Sequence, residues 1–382
     1  MVTVKQCEDD YCLMKHSATS ELSKCPSLDL QGTRVPIFMF GSQSSLDSCA
    51  YGGIFNTLEK QSLLDLLLLA QWEDRAWKGL FNYDVTTCEM KVTNGLKKFV
   101  TQLNEERSVL NYLPVLKEKG VRHQLYPIIH NCKIPMEEFL FAVTTGEKAL
   151  PKLIQSASVP EDVNLSIIIN ANPVDYGHVF LLPSGYCGLS RILDSRLLEM
   201  VTRFALEINN CSFRIFYDFS ASNSNQQCVQ ACYLAIPLPV ESMPVATLSG
   251  NWGERGLHIS EVTDYPIKAL SFKGYGNLKL LVEVVSEICS CLQKLNNPYS
   301  LLITDFGTNM MLFPQNTCCS LSALECGGHF VFKTKHEFDQ ASEEALLKRL
   351  ADASLGNEDF LSVKQLCFRI ADQLSCSKME HA

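Results

Sequence analysis

Cys228 is the residue of this chain with the clearest chemical potential. It lies in the run Asn225-Gln226-Gln227-Cys228-Val229-Gln230-Ala231-Cys232-Tyr233-Leu234, which reads as a strand entered from a polar loop. A thiolate is a strong nucleophile, but a thiol is mostly protonated at neutral pH unless its surroundings lower its pKa. No neighbour in sequence activates Cys228, and His178 and His258 could do so only if the fold brought them close. Gln226 cannot exchange protons, whereas Gln230 can donate to a developing negative charge. The competing reading, an inert thiol packed beside Val229, is the favoured one.

The elements around this run can be read from periodicity. Leu58 to Lys78 is helical, with Leu63, Leu66, Leu67, Ala70 and Trp77 near one face. Leu80 to Val85, Phe99 to Leu103 and Phe139 to Val143 are strand-like, and Asn111 to Pro135 reads as a surface loop. Leu165 to Asn170 and His178 to Leu182 flank the turn residues Asn172-Pro173-Val174-Asp175-Tyr176-Gly177, which makes a hairpin. A helix follows, striped by Leu197, Leu198, Val201, Phe204, Ala205 and Ile208, and then strands at Phe213 to Tyr217 and Val229 to Ile236. A helix striped by Leu281, Val284, Val285, Ile288, Leu292 and Leu295, the pair Asn296-Asn297, a strand at Leu301 to Thr304 and Asp305-Phe306 repeat the earlier order of helix, Asn209-Asn210, strand and Asp218-Phe219. Leu312-Phe313-Pro314 ends a second hairpin as Leu181-Leu182-Pro183 ends the first. The expected fold class is therefore α+β, built from a duplicated unit. Residues 1–55 read as a poorly ordered leader or a wrapping arm, 56–240 as the first unit, 241–375 as the second, ending in helix from Ser342 to Leu374, and 376–382 as a frayed tail.

With 382 residues and 46% hydrophobic content, the chain can bury a large core. Its net charge of -9 and the lack of a long basic run argue against a nucleic-acid partner. Leu63 to Ala70 is too short an apolar run to span a bilayer, so no membrane partner is expected. The 17 cysteines without a secretory signal suggest a reducing compartment, the cytoplasm, with the nucleus as a second option. Cys7, Cys12, His16 and Cys25 lack the paired spacing of a zinc site, and neither a metal nor a cofactor is expected.

Four segments taken in order resemble the plant GDP-L-galactose phosphorylase family, relatives of the histidine-triad proteins and of galactose-1-phosphate uridylyltransferase. They are Trp72-Glu73-Asp74-Arg75 with Gly79 to Asp84, Gln102 to Arg107, Pro173 to Val179 leading to Leu182-Pro183, and Asn225 to Leu234 continuing to Pro239. The resemblance runs from about residue 70 to about residue 365 and takes in Tyr265-Pro266, Pro314-Gln315, Gly328-His329, Lys333 and Lys335. It implies tandem histidine-triad-like units, antiparallel sheets with packed helices, and transfer of GMP from a GDP-hexose to inorganic phosphate, a step of ascorbate synthesis. The family's H-x-H-x-Q motif supplies a histidine that forms a guanylyl intermediate. Here its positions read Gln226, Cys228 and Gln230. The resemblance further implies phosphate or ribose contacts at Arg75, Lys91, Asn104, Arg107, Asn170 and His178. Arginine is expected where Asn82 and Lys78 stand, and proline before Gly95. Arginine grips phosphate bidentately and lysine acts as a point charge. Three readings follow: a GDP-sugar-binding homologue with impaired turnover, able to pair with itself or with an active relative; an active enzyme using Cys228 or another route; or an interaction protein with a collapsed pocket. The first is favoured. Trp72 and Trp77 read as helix packing.

Overall fold

The computed structural model describes residues 34–42, 61–107, 135–159, 163–183, 193–220 and 228–376. In the first half, strand β1 (Arg34–Phe40) is followed by helix α1 (Leu63–Trp77) and by strands β2 (Met90–Val92), β3 (Val100–Leu103), β4 (Phe139–Thr145), β5 (Lys152–Ser158), β6 (Leu165–Ile169) and β7 (Tyr176–Pro183). Helix α2 (Ser195–Ile208) then leads into the pair β8 (Phe213–Phe219) and β9 (Val229–Tyr233). The second half carries β10 (Val245–Leu248), β11 (Leu257–Val262), β12 (Leu270–Gly274), helix α3 (Leu278–Lys294), β13 (Tyr299–Thr304) and β14 (Asn309–Pro314). Helix α4 (Ala323–Gly327), β15 (His329–Phe332) and helices α5 (Lys335–Gln340), α6 (Glu343–Ala353) and α7 (Asn357–Cys376) complete it.

Twelve strands form one sheet in the order β10-β11-β12-β14-β13-β8-β9-β7-β6-β4-β1-β5. The order is symmetric about the antiparallel β8–β13 pair: outward from it, β9, β7, β6 on one side answer β14, β12, β11 on the other. Asn209 and Asn296, at φ 50° and 53°, end α2 and α3 in the left-handed region, which asparagine tolerates. Asp218 and Asp305 follow them by the same number of residues. Duplication of an α+β unit is thus visible in both backbone and order. One detail differs from the sequence reading: Pro314 lies on β14, the counterpart of β9, so it does not answer Pro183 on β7.

The helices form because their apolar stripes meet the sheet and one another. α2 buries Leu198, Val201, Phe204, Ala205 and Ile208, and Asp194 caps it by accepting from the Leu197 N–H at 2.8 Å. α3 buries Leu281, Val284, Val285, Ile288 and Leu292 under an Asn277 cap. α1, α2, α3 and α7 share the main core on one face. On the other face, α4, α6 and a three-stranded sheet ordered β15-β3-β2 enclose a second core around Phe99, Phe313, Phe330 and Leu350.

Three expectations need correction. Residues 34–40 are not leader: β1 pairs parallel with β4 and antiparallel with β5, burying Val35, Ile37, Phe38 and Phe40. Pro36 disguised the strand, since proline suits sheet interiors poorly. The register shift between Val35 and Ile37 accommodates it. Leu80 to Val85 is no strand; Asn82 donates to Asn172 Oδ1 at 2.7 Å and Tyr83 to the Pro173 carbonyl at 2.6 Å, so side chains rather than a ladder hold the segment. Trp77 does not pack: it is 91% exposed, whereas Trp72 is buried and donates to the His178 carbonyl at 3.3 Å. The loop read at 111–135, the metal candidates at 7–25 and residues 377–382 fall outside the described residues, Pro135 apart.

Arg214 on β8 clasps Glu241, in the turn joining the halves, through Nε–Oε1 at 2.7 Å and Nη2–Oε2 at 2.6 Å, with both groups largely buried. Removing one partner strands the other's charge. Arg214→Ala should lower the urea-unfolding free energy by about 3 kcal/mol, and a loss below about 1 kcal/mol would show the clasp to be solvated.

Candidate functional site beside Gln230

Side chains alternate along β9. Val229, Ala231 and Tyr233 enter the helix-covered core, while Cys228, Gln230 and Cys232 face the other way. Cys228 is 3% exposed, in an apolar cluster with Ile37, Phe139, Ile168, Phe180 and Leu182. Gln230, two residues on, lines a cavity of about 400 Å³ with Arg107, Asp218, His329 and Lys333. Gln226 lies outside the described residues.

His178 determines how Gln230 is held. Gly177 brings the strand in at φ +67°, and a Cβ there would sit 2.5 Å from the Tyr233 ring, so only glycine serves. The Val174 N–H donates to His178 Nδ1 at 2.8 Å. A backbone N–H can only donate, so Nδ1 is unprotonated and the neutral ring carries its proton on Nε2. Nε2–H then donates to Gln230 Oε1 at 3.0 Å, with Asn170 Nδ2 a more distant 3.4 Å from the same nitrogen. Complete burial drives the His178 pKa down to about 3, and the nearby Arg107 charge reinforces the shift. His178 is thus a neutral positioning residue. With its carboxamide oxygen engaged, Gln230 has its amino group to offer as donor.

A second histidine–glutamine pair lies opposite. Gln102 on β3 donates through Nε2 to the Val174 carbonyl at 2.8 Å, which fixes Oε1 as acceptor. His329 Nε2–H donates to that oxygen at 3.0 Å. Burial, then Arg107, lowers the His329 pKa to about 4. The Val174 peptide therefore ties both pairs together, its N–H to His178 and its carbonyl to Gln102. Gly328, at φ +102°, ends α4 and turns the chain into β15, and a Cβ there would meet Pro239 at 2.8 Å.

The other expected contacts divide. Arg107 reaches the cavity, and Asn170 closes the turn before His178 by accepting from the Asn172 N–H at 2.9 Å. Arg75 is directed to Asp74 and to the Glu137 and Phe139 carbonyls, at 2.7 and 2.8 Å for the latter two. Lys91 donates to the Phe338 carbonyl and lies 4.2 Å from that ring's centroid. Asn104 is buried at the end of β3, its Nδ2 without a hydrogen-bond partner among the described residues. Lys78 pairs with Asp74 at 2.6 Å. His258, on β11, packs edge-on against Tyr275, far across the sheet from Cys228.

Sequence reasoning did not single out His329, Gln102 or Asp218 as site residues. Their only signals were Gly328-His329, the Gln102 to Arg107 segment and the repeated Asp-Phe, none of which reveals a shared cavity.

Residues 63–232 match the GDPGP1-like N-terminal domain, and residues 239–374 the GDPGP1-like C-terminal domain. The chain is 33% identical to GDP-L-galactose phosphorylase 1 of Arabidopsis thaliana, over 84% of this chain and 76% of that protein. It is 27% identical to GDP-D-glucose phosphorylase 1 of Homo sapiens, over 77% and 80% respectively. The crystal structure of yeast Ap4A phosphorylase Apa2 in complex with AMP superposes with a TM-score of 0.51 at 12% identity, covering 76% of this chain and 96% of that one, which shows a shared fold. Among the described residues no helix is long and apolar enough to cross a membrane. With both domains matched in tandem and a third of its residues shared over most of its length, the chain belongs to the GDPGP1-like family.

Proposed function

We propose that this chain binds a GDP-hexose as its family does, with the family's phosphorylase step lost or strongly reduced. The observation that carries this reading is the burial of Cys228 among Ile168, Phe180 and Leu182, where the family's H-x-H-x-Q resemblance places the phosphorus-attacking imidazole. A thiol attacks only as its thiolate, and Cys228 is 3% exposed within this apolar cluster. The surroundings of a nucleotide site persist: Gln230 is still oriented by a neutral histidine, and Arg107 stands at a cavity of a size that suits a small ligand.

Calorimetry and turnover together test it. GDP should give binding heat, while GDP-glucose or GDP-galactose with phosphate should release no hexose 1-phosphate above a slow background. Rapid release, with a guanylyl adduct visible by intact mass and absent from Cys228→Ser, would establish the active reading instead. No heat at millimolar GDP would establish a collapsed pocket.

A further inference from the structure

The cavity beside Gln230 lies between the large sheet, which supplies Phe216, Asp218 and Gln230, and the small sheet, which supplies His329 and Val331. Two of its groups, the half-buried Asp218 and the buried His329, are held rigidly from one side only. Asp218 accepts at Oδ1 from Ser300 Oγ at 2.7 Å and from the Ala323 N–H at 2.6 Å. Among the described residues nothing donates to its Oδ2, and Asp218 lines the cavity. His329 is committed at Nε2 to Gln102, so its Nδ1 is a lone-pair acceptor, and among the described residues nothing donates to that either. Neither atom is among the fully buried orphans, which leaves both reachable from the cavity. Buried acceptors of this kind call for donors.

The cations lie around them. Arg107 and Lys333 line the cavity and, among the described residues, pair with no carboxylate; Arg349 is taken by Glu325 on the rim. A bare anion beside Asp218 would add to a cavity that already holds a second carboxylate, Glu325. An apolar ligand would strand Asp218 and His329 without donors. A ligand that donates at one end and is anionic at the other satisfies both sets, and its ring can lie against Val174, Phe216 and Leu324.

We propose that this cavity is a hexose-phosphate subsite, in which Asp218 and His329 accept hydrogen bonds from sugar hydroxyls while Arg107 and Lys333 hold the phosphate. The assignment rests on the GDP-hexose reading above and specifies which residues take the sugar half.

Titrating the full chain with glucose 1-phosphate, inorganic phosphate and GDP separates the two ideas. Glucose 1-phosphate should bind about tenfold or more tighter than phosphate, because a site built to hydrogen-bond hydroxyls rejects a ligand lacking them. Asp218→Asn replaces an acceptor by a donor while keeping an oxygen for Ser300 and Ala323. It should weaken glucose 1-phosphate about tenfold and leave GDP within about twofold. Should that variant melt early, Lys333→Ala decides instead, since Lys333 is exposed; it should weaken glucose 1-phosphate about fivefold. Phosphate binding as tightly as glucose 1-phosphate, or folded variants that bind the sugar phosphate unchanged, would overturn the subsite. GDP giving no heat would overturn the nucleotide reading alone, with the sugar-phosphate titration still reporting on the subsite.

Discussion

Gln226→His combined with Cys228→His should raise phosphorolysis of a GDP-hexose at least about a hundredfold over the unaltered chain. A neutral imidazole nitrogen is available at pH 7, attacks phosphorus, and leaves again from the phosphoramidate it forms. A thiol offers neither property unless it ionises, and Cys228 lies in the apolar cluster of Ile37, Phe139, Ile168, Phe180 and Leu182. The neighbouring provision is intact, because Gln230 sits two residues on, facing the same side, with its oxygen held by His178. An imidazole is larger than a thiol, and crowding in this cluster should cost about 1–3 kcal/mol of stability. The gain is therefore to be read at a temperature well below the variant's melting point. Cys228→Ser is the matched control and should leave the basal rate unchanged. A folded double variant with no gain would locate the loss elsewhere, and Asn82 is then the first position to examine: it stands where the family resemblance expects arginine, and its amide is directed to Asn172.

Much of the scaffold was legible because local rules and tertiary packing agree there. The stripes of α2 and α3, their Asn-Asn ends and the hairpin of β6 and β7 all follow from periodicity and turn chemistry. β1 escaped because Pro36 breaks the pattern and because its partners β4 and β5 lie more than a hundred residues away. Leu80 to Val85 misled for the opposite reason: its apolar residues pack, but its polar contacts to residues 171–173 are one backbone bond, Asn82 N–H to the Ala171 carbonyl, and two side-chain bonds, with no ladder. The site was legible only along β9 and the turn before His178. His329 reaches the cavity through a parallel β15–β3 pairing that joins the two halves of the chain, and no local pattern encodes that. Arg75 and Lys91 show the converse limit, since a cation's type and place in a motif do not reveal whether a backbone carbonyl has already claimed it.

The two histidines at the site should also make the fold sensitive to acid. In the unfolded chain a histidine titrates near 6.5, whereas in the fold His178 is held to about 3 and His329 to about 4, chiefly by burial. Below pH 6.5 the unfolded chain binds protons that the folded chain refuses. Their contribution is full above that pH and is lost as pH falls. Asp218 acts in the opposite sense. Burial raises its pKa from 3.8 to about 6, so the fold takes up a proton before the unfolded chain does, which favours the fold as pH falls from 6 towards 3.8. Asp175 and Glu207, both raised by burial, add to that opposing effect. At about 1.4 kcal/mol per pH unit, each histidine costs about 2–3 kcal/mol by pH 4.5, and Asp218 returns about 2. Comparing His329→Gln with the unaltered chain isolates one histidine from this balance, because glutamine can keep a donor to Gln102 without titrating. Between pH 7.5 and 4.5 the variant should lose about 2–3 kcal/mol less unfolding free energy than the unaltered chain. Parallel pH profiles for the two would mean that His329 takes up its proton in the folded state as readily as in the unfolded one, and the neutral tautomer that turns Nδ1 into an acceptor would have to be abandoned.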